Sequence, residues 1–185
     1  MSDTLKTIRF KITGIRPLLM HNGVIADPMN PGVKAMKKIT AKGSKKMTDT
    51  DYEELARLSW EHGIYWSSEF NDIVIPSDNI ERCIQLGAQK QRKGKDFAAA
   101  AFVTETEILV KHRRNGTSKA DLYADPAYKL TKGVGVNGSR VMRIRPMVPT
   151  GWSASFTIEF DSSIIQRDLI VDALRDAGSL VGLGD

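Results

Sequence analysis

Strict alternation of apolar and polar side chains marks both ends of this chain. No other feature constrains the fold as much. From Thr7 to Ile15, the residues Ile8, Phe10 and Ile12 fall on one face of a strand, and Arg9, Lys11 and Thr13 on the other. From Ser153 to Asp161, Phe156, Ile158 and Phe160 share one face in the same way. A period of two places one face against a core and leaves the other available to solvent or a ligand. Gly14 and Pro17 end the first strand, since neither continues a ladder well.

Between these strands the pattern switches repeatedly to helical spacing. Thr50 and Glu53 form a capping box that opens a helix bearing Tyr52, Leu55, Ala56 and Ser59 and ending at Gly63. Ile64–Trp66 and Ile73–Ile75 read as the strands of a hairpin around Glu69–Asp72. Ser77 or Asp78 is expected to cap the next helix, with Ile80, Cys83, Ile84 and Leu86 along its buried stripe. Asp96 to Ala101 continues or restarts that helix. Glu107–Lys111 and Arg140–Pro149 read as strands. Ser162 or Ser163 is expected to cap a final helix, Ile164–Ala177, which gives way to Gly178-Ser179-Leu180-Val181-Gly182-Leu183-Gly184-Asp185.

Two stretches break this order. Residues 22–50 hold the turn signals Asp27-Pro28 and Asn30-Pro31-Gly32, then a run of lysines with few large apolar residues, and are expected to form a mobile loop. Residues 113–138 are rich in Gly, Asn, Asp and Pro and read as an irregular excursion. The pattern predicts one α+β domain over 1–185, with an antiparallel sheet, helices on one face and a ferredoxin-like core. The long basic insertions fall at about 22–50 and 113–138.

Charge and cysteine content narrow the function classes. Among 185 residues, 41% are hydrophobic, enough for a packed core, and the formal net charge is +5. That balance suits an anionic partner. The single cysteine, Cys83, excludes an internal disulfide framework and a cysteine zinc site, and predicts a reducing, cytoplasmic setting. No stretch reaches the roughly 20 apolar residues of a membrane span, so no membrane association is expected. His21, His62 and His112 lack metal-ligand spacing, and no Walker, GxSxG or HExxH motif occurs. No metal or cofactor is expected.

The cations point to phosphate. Lys34, Lys37, Lys38, Lys42, Lys45 and Lys46 run without an intervening acidic residue. Flexible lysines of this kind neutralise phosphates and release counterions without sequence choice. On the strand that carries Arg140, Arg143 and Arg145, Arg143 and Arg145 fall on one side and Met142 and Ile144 on the other, so the arginines offer planar donors to phosphate, unless Glu107 or Glu159 pairs with them. Lys90, Arg92, Lys93 and Lys95 make a third patch. Among the few aromatic residues, Phe70 at the hairpin tip is the best placed to stack on a base, while Trp60 and Phe156 fit a core.

ITGIRPLL at the first strand and its turn, taken with GSLVGLGD after the last helix, resembles the RAMP superfamily. These are CRISPR-associated proteins with ferredoxin-like or RNA-recognition-motif-like cores. More narrowly, the chain is similar to the backbone subunits that polymerise along guide RNA and to related phage and prophage proteins. The two motifs cover only the ends of the chain. The family loop usually runs on into further Gly and Arg residues and a closing strand, whereas this sequence stops at Asp185.

The resemblance implies binding of single-stranded RNA or DNA, largely regardless of sequence. It also implies a homo-oligomer, filament or ring, whose insertions reach between neighbouring copies. Gly182 and Gly184 are the expected contacts of the glycine loop. Some relatives cleave RNA with a histidine near the N-terminus or an aspartate after the first strand. His21 and Asp27 fall there, as general acid–base or metal-holding candidates. That gives the alternative reading of a ribonuclease. A third reading is a phage-encoded interaction module that joins a related host complex.

Overall fold

The computed structural model describes residues 4–136 and 139–184, with the side chains of 134–141 outside the description. Strand β1 (Leu5–Thr13) and the short β2 (Leu18–Leu19) precede helices α1 (Pro31–Thr40) and α2 (Asp49–Gly63). A hairpin of β3 (Trp66–Ser67) and β4 (Asp72–Pro76) leads into α3 (Ser77–Gln89) and α4 (Gly94–Ala100). Next come β5 (Ala101–Val103), β6 (Glu107–Lys111) and α5 (Lys119–Ala124). β7 (Lys129–Val136), β8 (Ser139–Val148) and β9 (Ser153–Asp161) precede α6 (Arg167–Asp176), which runs into a π-helical turn, Ala177–Val181. The fold is α+β with antiparallel strand pairing, as the alternation of periods implies.

The chain divides into two compact units. The first comprises Met1–Gly14, Val74–Lys111 and Ser153–Leu183, and the second Ile15–Ile73, His112–Trp152 and Gly184–Asp185. Both stretches expected as insertions, 22–50 and 113–138, belong to the second unit.

In the first unit, β1, β9, β6 and β4 lie side by side in that order, and β5 also pairs with β9. β9 alternates as its sequence dictates: Ala154, Phe156, Ile158 and Phe160 are buried, and the residues between them half-buried. Ile8, Phe10 and Ile12 of β1 stand opposite Ile158, Phe156 and Ala154 on the same face. Burying side chains such as Phe156 and Ile158 stabilises the fold by about 1.5–3 kcal/mol each. Ile80 and Ile84 of α3 and Ile170 and Ala173 of α6 complete this core. The two helices approach so closely at Gly87 that a Cβ there would clash with the Ala173 carbonyl, so only glycine fits.

In the second unit, β2, β8 and β7 form a three-stranded antiparallel sheet. Helix α1 packs on α2 through Val33, Met36 and Leu58, with Ile39 and Leu55 around them. On another face of α2, Trp60 is fully buried and donates its indole N–H to the Tyr128 carbonyl at 2.8 Å.

Several local expectations are corrected. The lysine-rich loop is in part helix α1. The Asn30 carboxamide oxygen accepts from the amides of Gly32 (2.8 Å) and Val33 (3.3 Å), and Pro31 occupies the first turn, a combination that starts helices well. The capping box of α2 is Thr48 with Asp51, two residues before the expected pair. Neither α3 nor α6 has a side-chain cap. α6 starts at Arg167, and the Ser163 hydroxyl instead donates to Asp161 at 2.6 Å. The excursion over 113–138 contains α5 and strand β7, which is held along β8 from Lys129↔Pro146 onward.

Candidate nucleic-acid interface

Helix α1 sorts its residues cleanly. Lys34, Lys37 and Lys38 are spaced i, i+3, i+4, which puts them on one face. Val33, Met36 and Ile39 take the opposite face and bury it against α2. The three lysines are exposed, as are Lys45 and Lys46 in the turn that follows. None of these five has a carboxylate partner among the described residues. Lys37 and Lys38 also lie in the last helical turn, where cations are favoured by the helix dipole. Lys42 differs, because it forms an ion pair with Asp51 at 2.6 Å. That hydrogen bond holds the Asp51 carboxyl below its usual range.

The hairpin of β7 and β8 carries the second group of cations in the same unit. Arg143 stands opposite Lys132, and both are exposed. Arg145 is half-buried and engaged, opposite Leu130. Arg140 is in β8, but its side chain lies outside the described residues. At the base of the hairpin Lys129 sits 4.4 Å from the centre of the Tyr123 ring. Arg92 and Lys93 belong to the first unit. Arg92 is exposed in a left-handed conformation (φ 61°), and Lys93 pairs with Asp96 at 2.8 Å. The first unit carries as many cationic as anionic residues, so the whole excess of +5 resides in the second.

The remaining candidates have local roles. Phe70 is 43% exposed at the tip of the β3–β4 hairpin. Gly182 and Gly184 have φ of 82° and 91°, the glycine-favouring conformation. Their close neighbours are the chain itself. The Gly182 carbonyl accepts from the Cys83 thiol at 3.2 Å, and a Cβ at Gly184 would meet the Leu19 carbonyl at 2.6 Å. Asp27 accepts from the Met29 amide at 2.8 Å, which makes it a turn-forming carboxylate. His21 is exposed, and its backbone carbonyl accepts from the Tyr65 hydroxyl at 3.1 Å.

One constellation had no sequence signature. Asp72 opens β4 and His112 follows β6, yet the His112 Nε2 lies 2.9 Å from the Asp72 Oδ1, and the two side chains are 2% and 5% exposed. The other ring nitrogen, Nδ1, lies 2.9 Å from the Tyr128 hydroxyl and 3.3 Å from the Arg114 amide. The amide can only donate, so Nδ1 accepts and the ring proton sits on Nε2, facing the carboxylate. Asp72 also accepts from the amides of Ile73 and Gly116, each at 2.8 Å, and from Asn115 at 2.9 Å. Burial pushes its carboxyl pKa up, but the bonds from Asn115, Gly116, His112 and Ile73 outweigh that and hold it below the usual range. Every donor is matched and the ring is shut away from solvent. The arrangement ties residues 112–116 and Tyr128 to the start of β4.

No family model matches the chain, and no curated protein matches it. Among the described residues no cluster of three or more His, Cys, Asp or Glu is placed to hold a metal ion. Among the same residues no helix is long and apolar enough to cross a membrane.

Proposed function

We propose that this protein binds single-stranded RNA or DNA through the phosphate backbone, largely regardless of sequence. The observation that carries the reading is the outward face of α1, where Lys34, Lys37 and Lys38 stand exposed and without carboxylate partners among the described residues. Exposed arginine and lysine on the β7–β8 hairpin of the same unit support it, as does the gathering of the net charge there. Cations that lack protein partners interact best with an external anion, and a row of them suits a repeating one. Assembly of copies along the strand, in a bacterial or phage-infected cytoplasm, is what the resemblance to the RAMP superfamily adds. No geometry at His21 or Asp27 favours the ribonuclease reading.

Fluorescence anisotropy with labelled homopolymers across a salt series tests the proposal. Wild-type protein binds at low salt, and its affinity falls steeply as salt rises. Replacing Lys34, Lys37 and Lys38 with glutamine lowers the slope of log affinity against log salt by about 2, at roughly 0.7 per phosphate lost. A wild-type protein that binds no strand at low salt overturns the reading.

A further inference from the structure

The first unit, electrically neutral as a whole, concentrates cations on one end of its sheet. On the face of β1, β9 and β6 opposite Phe156 and Ile158, Lys11 stands across from Ser155. Thr13 stands across from Ser153, which has Lys111 on its other side. Opposed residues in such a ladder have Cβ atoms about 5 Å apart. The central strand thus contributes two small hydroxyl side chains, and the strands beside it contribute long cationic ones. This makes a shallow trough with a hydroxyl floor and lysine walls. Lys11, Thr13 and Lys111 are exposed, and Ser153 and Ser155 are half-buried. None of the five side chains makes a hydrogen bond or ion pair with another described residue. Arg9, also exposed, extends the cationic wall by roughly 7 Å along β1.

Two carboxylates of these strands stand away from the Lys111 end of the trough. Glu107 is four residues from Lys111 along β6, roughly 13 Å, and Glu159 is six residues from Ser153 along β9, roughly 20 Å. Glu105 is nearer: its carboxylate accepts from the Thr157 amide at 2.9 Å, two residues from Ser155 along β9, at the end of the trough away from Ser153 and Lys111. Cations on both walls, with hydroxyl donors between them, are complementary to a phosphodiester: hydroxyls donate to its oxygens and lysines neutralise its charge.

We propose that this end of the sheet is a second phosphate-binding surface, occupied by a nucleic-acid strand. It would lie in the trough between Lys11 and Lys111, with its backbone oxygens on Ser153, Ser155 and Thr13. The inference rests on the function proposed above and assigns a contact region in the other unit.

The test compares wild type with Lys11→Gln/Lys111→Gln in anisotropy titrations of a labelled oligouridylate. The double variant binds several-fold more weakly at low salt, and its salt slope is shallower by about 1.4, two phosphate contacts at roughly 0.7 each. Lys11→Arg/Lys111→Arg restores the slope. Ser155→Ala lowers affinity without changing the slope, because a hydroxyl releases no counterion. Circular dichroism melts confirm that each variant is folded. A folded glutamine double variant with wild-type affinity and slope overturns this inference and leaves the α1 surface standing. Wild-type protein that binds no strand overturns the proposed function and this site together. Inorganic phosphate that displaces the strand at equal phosphate concentration overturns the polymeric occupant.

Discussion

Two polar regions of the second unit use charge in opposite ways. At Asp72 and His112, both side chains are almost fully buried, and each polar atom has a partner inside the protein. On α1, Lys34, Lys37 and Lys38 are exposed and have no such partner among the described residues. The first set resembles a catalytic constellation in its residue types, an aspartate orienting a histidine that touches a tyrosine hydroxyl. Its saturation and burial make it a fastener of the fold. The second set looks unremarkable in type, yet it is the one directed outward. The contrast shows that hydrogen-bond saturation and exposure discriminate a site from a strut better than residue identity does.

The sharpest way to break that contrast is to remove Asp72. Asp72→Ala strips the acceptor from the His112 ring, the Asn115 side chain and the amides of Ile73 and Gly116. Leaving a buried donor without its acceptor costs about 1–3 kcal/mol, and this substitution orphans four of them. Urea denaturation should show a lower midpoint with that loss. If Asp72→Ala is as stable as wild type, the network is no fastener. Strand binding by any folded fraction should keep its salt slope, since Asp72 contacts no phosphate in this reading.

A second test uses pH. Asp72 has a folded-state carboxyl pKa below its unfolded one, near 3.9. Its contribution to stability is therefore fully present above the unfolded value and is lost as pH falls through the folded one. Melting temperature should drop as pH falls below about 4 in wild type, and less steeply in Asp72→Asn, which cannot titrate there. Asp51, Asp125 and Asp161 also have lowered pKa values and contribute in the same direction, so the informative quantity is the difference between the two proteins. Parallel pH profiles would assign the acid sensitivity to those surface carboxylates instead.

The same contrast explains what the sequence made legible. β1, β6 and β9 were readable because a half-buried strand repeats its burial every two residues, and Phe156, Ile158 and Phe160 obey that without exception; β8 was readable from its residue types, although Met142 is exposed beside Arg143. The hairpin at β3 and β4 and the end of α2 at Gly63 were readable from turn chemistry. α1 was missed because its lysines and the Asn30-Pro31-Gly32 turn signal outweighed the spacing of Val33, Met36 and Ile39. The same Asn30 and Pro31, read as cap and first turn, signal a helix start. β7 was missed because Gly133 and Gly135 weaken a strand locally, and only the ladder with β8 holds it. The cap of α2 slipped because Thr48 with Asp51 and Thr50 with Glu53 satisfy the same spacing rule. The lysine face was legible as composition but not as a face. The Asp72–His112 pair was not legible at all, since its partners lie forty residues apart and no local pattern links them.

The smallest expected effect sharpens the comparison from the other side. Replacing Lys34, Lys37 and Lys38 with glutamine should leave the fold almost untouched. Lysine and glutamine have similar helix propensities, and the apolar face through Val33, Met36 and Ile39 is unchanged. The loss is the attraction of Lys37 and Lys38 for the helix C-terminus, about 0.3–1 kcal/mol each at low salt and less when screened. Relief of repulsion among three neighbouring cations offsets part of it. The melting temperature at physiological salt should therefore stay within a few degrees of wild type, while the salt slope of strand binding falls by about 2, at roughly 0.7 per phosphate lost. A lysine-to-glutamine variant that unfolds would move these side chains into the same class as Asp72, as parts of the scaffold, and would end the distinction on which the functional reading depends.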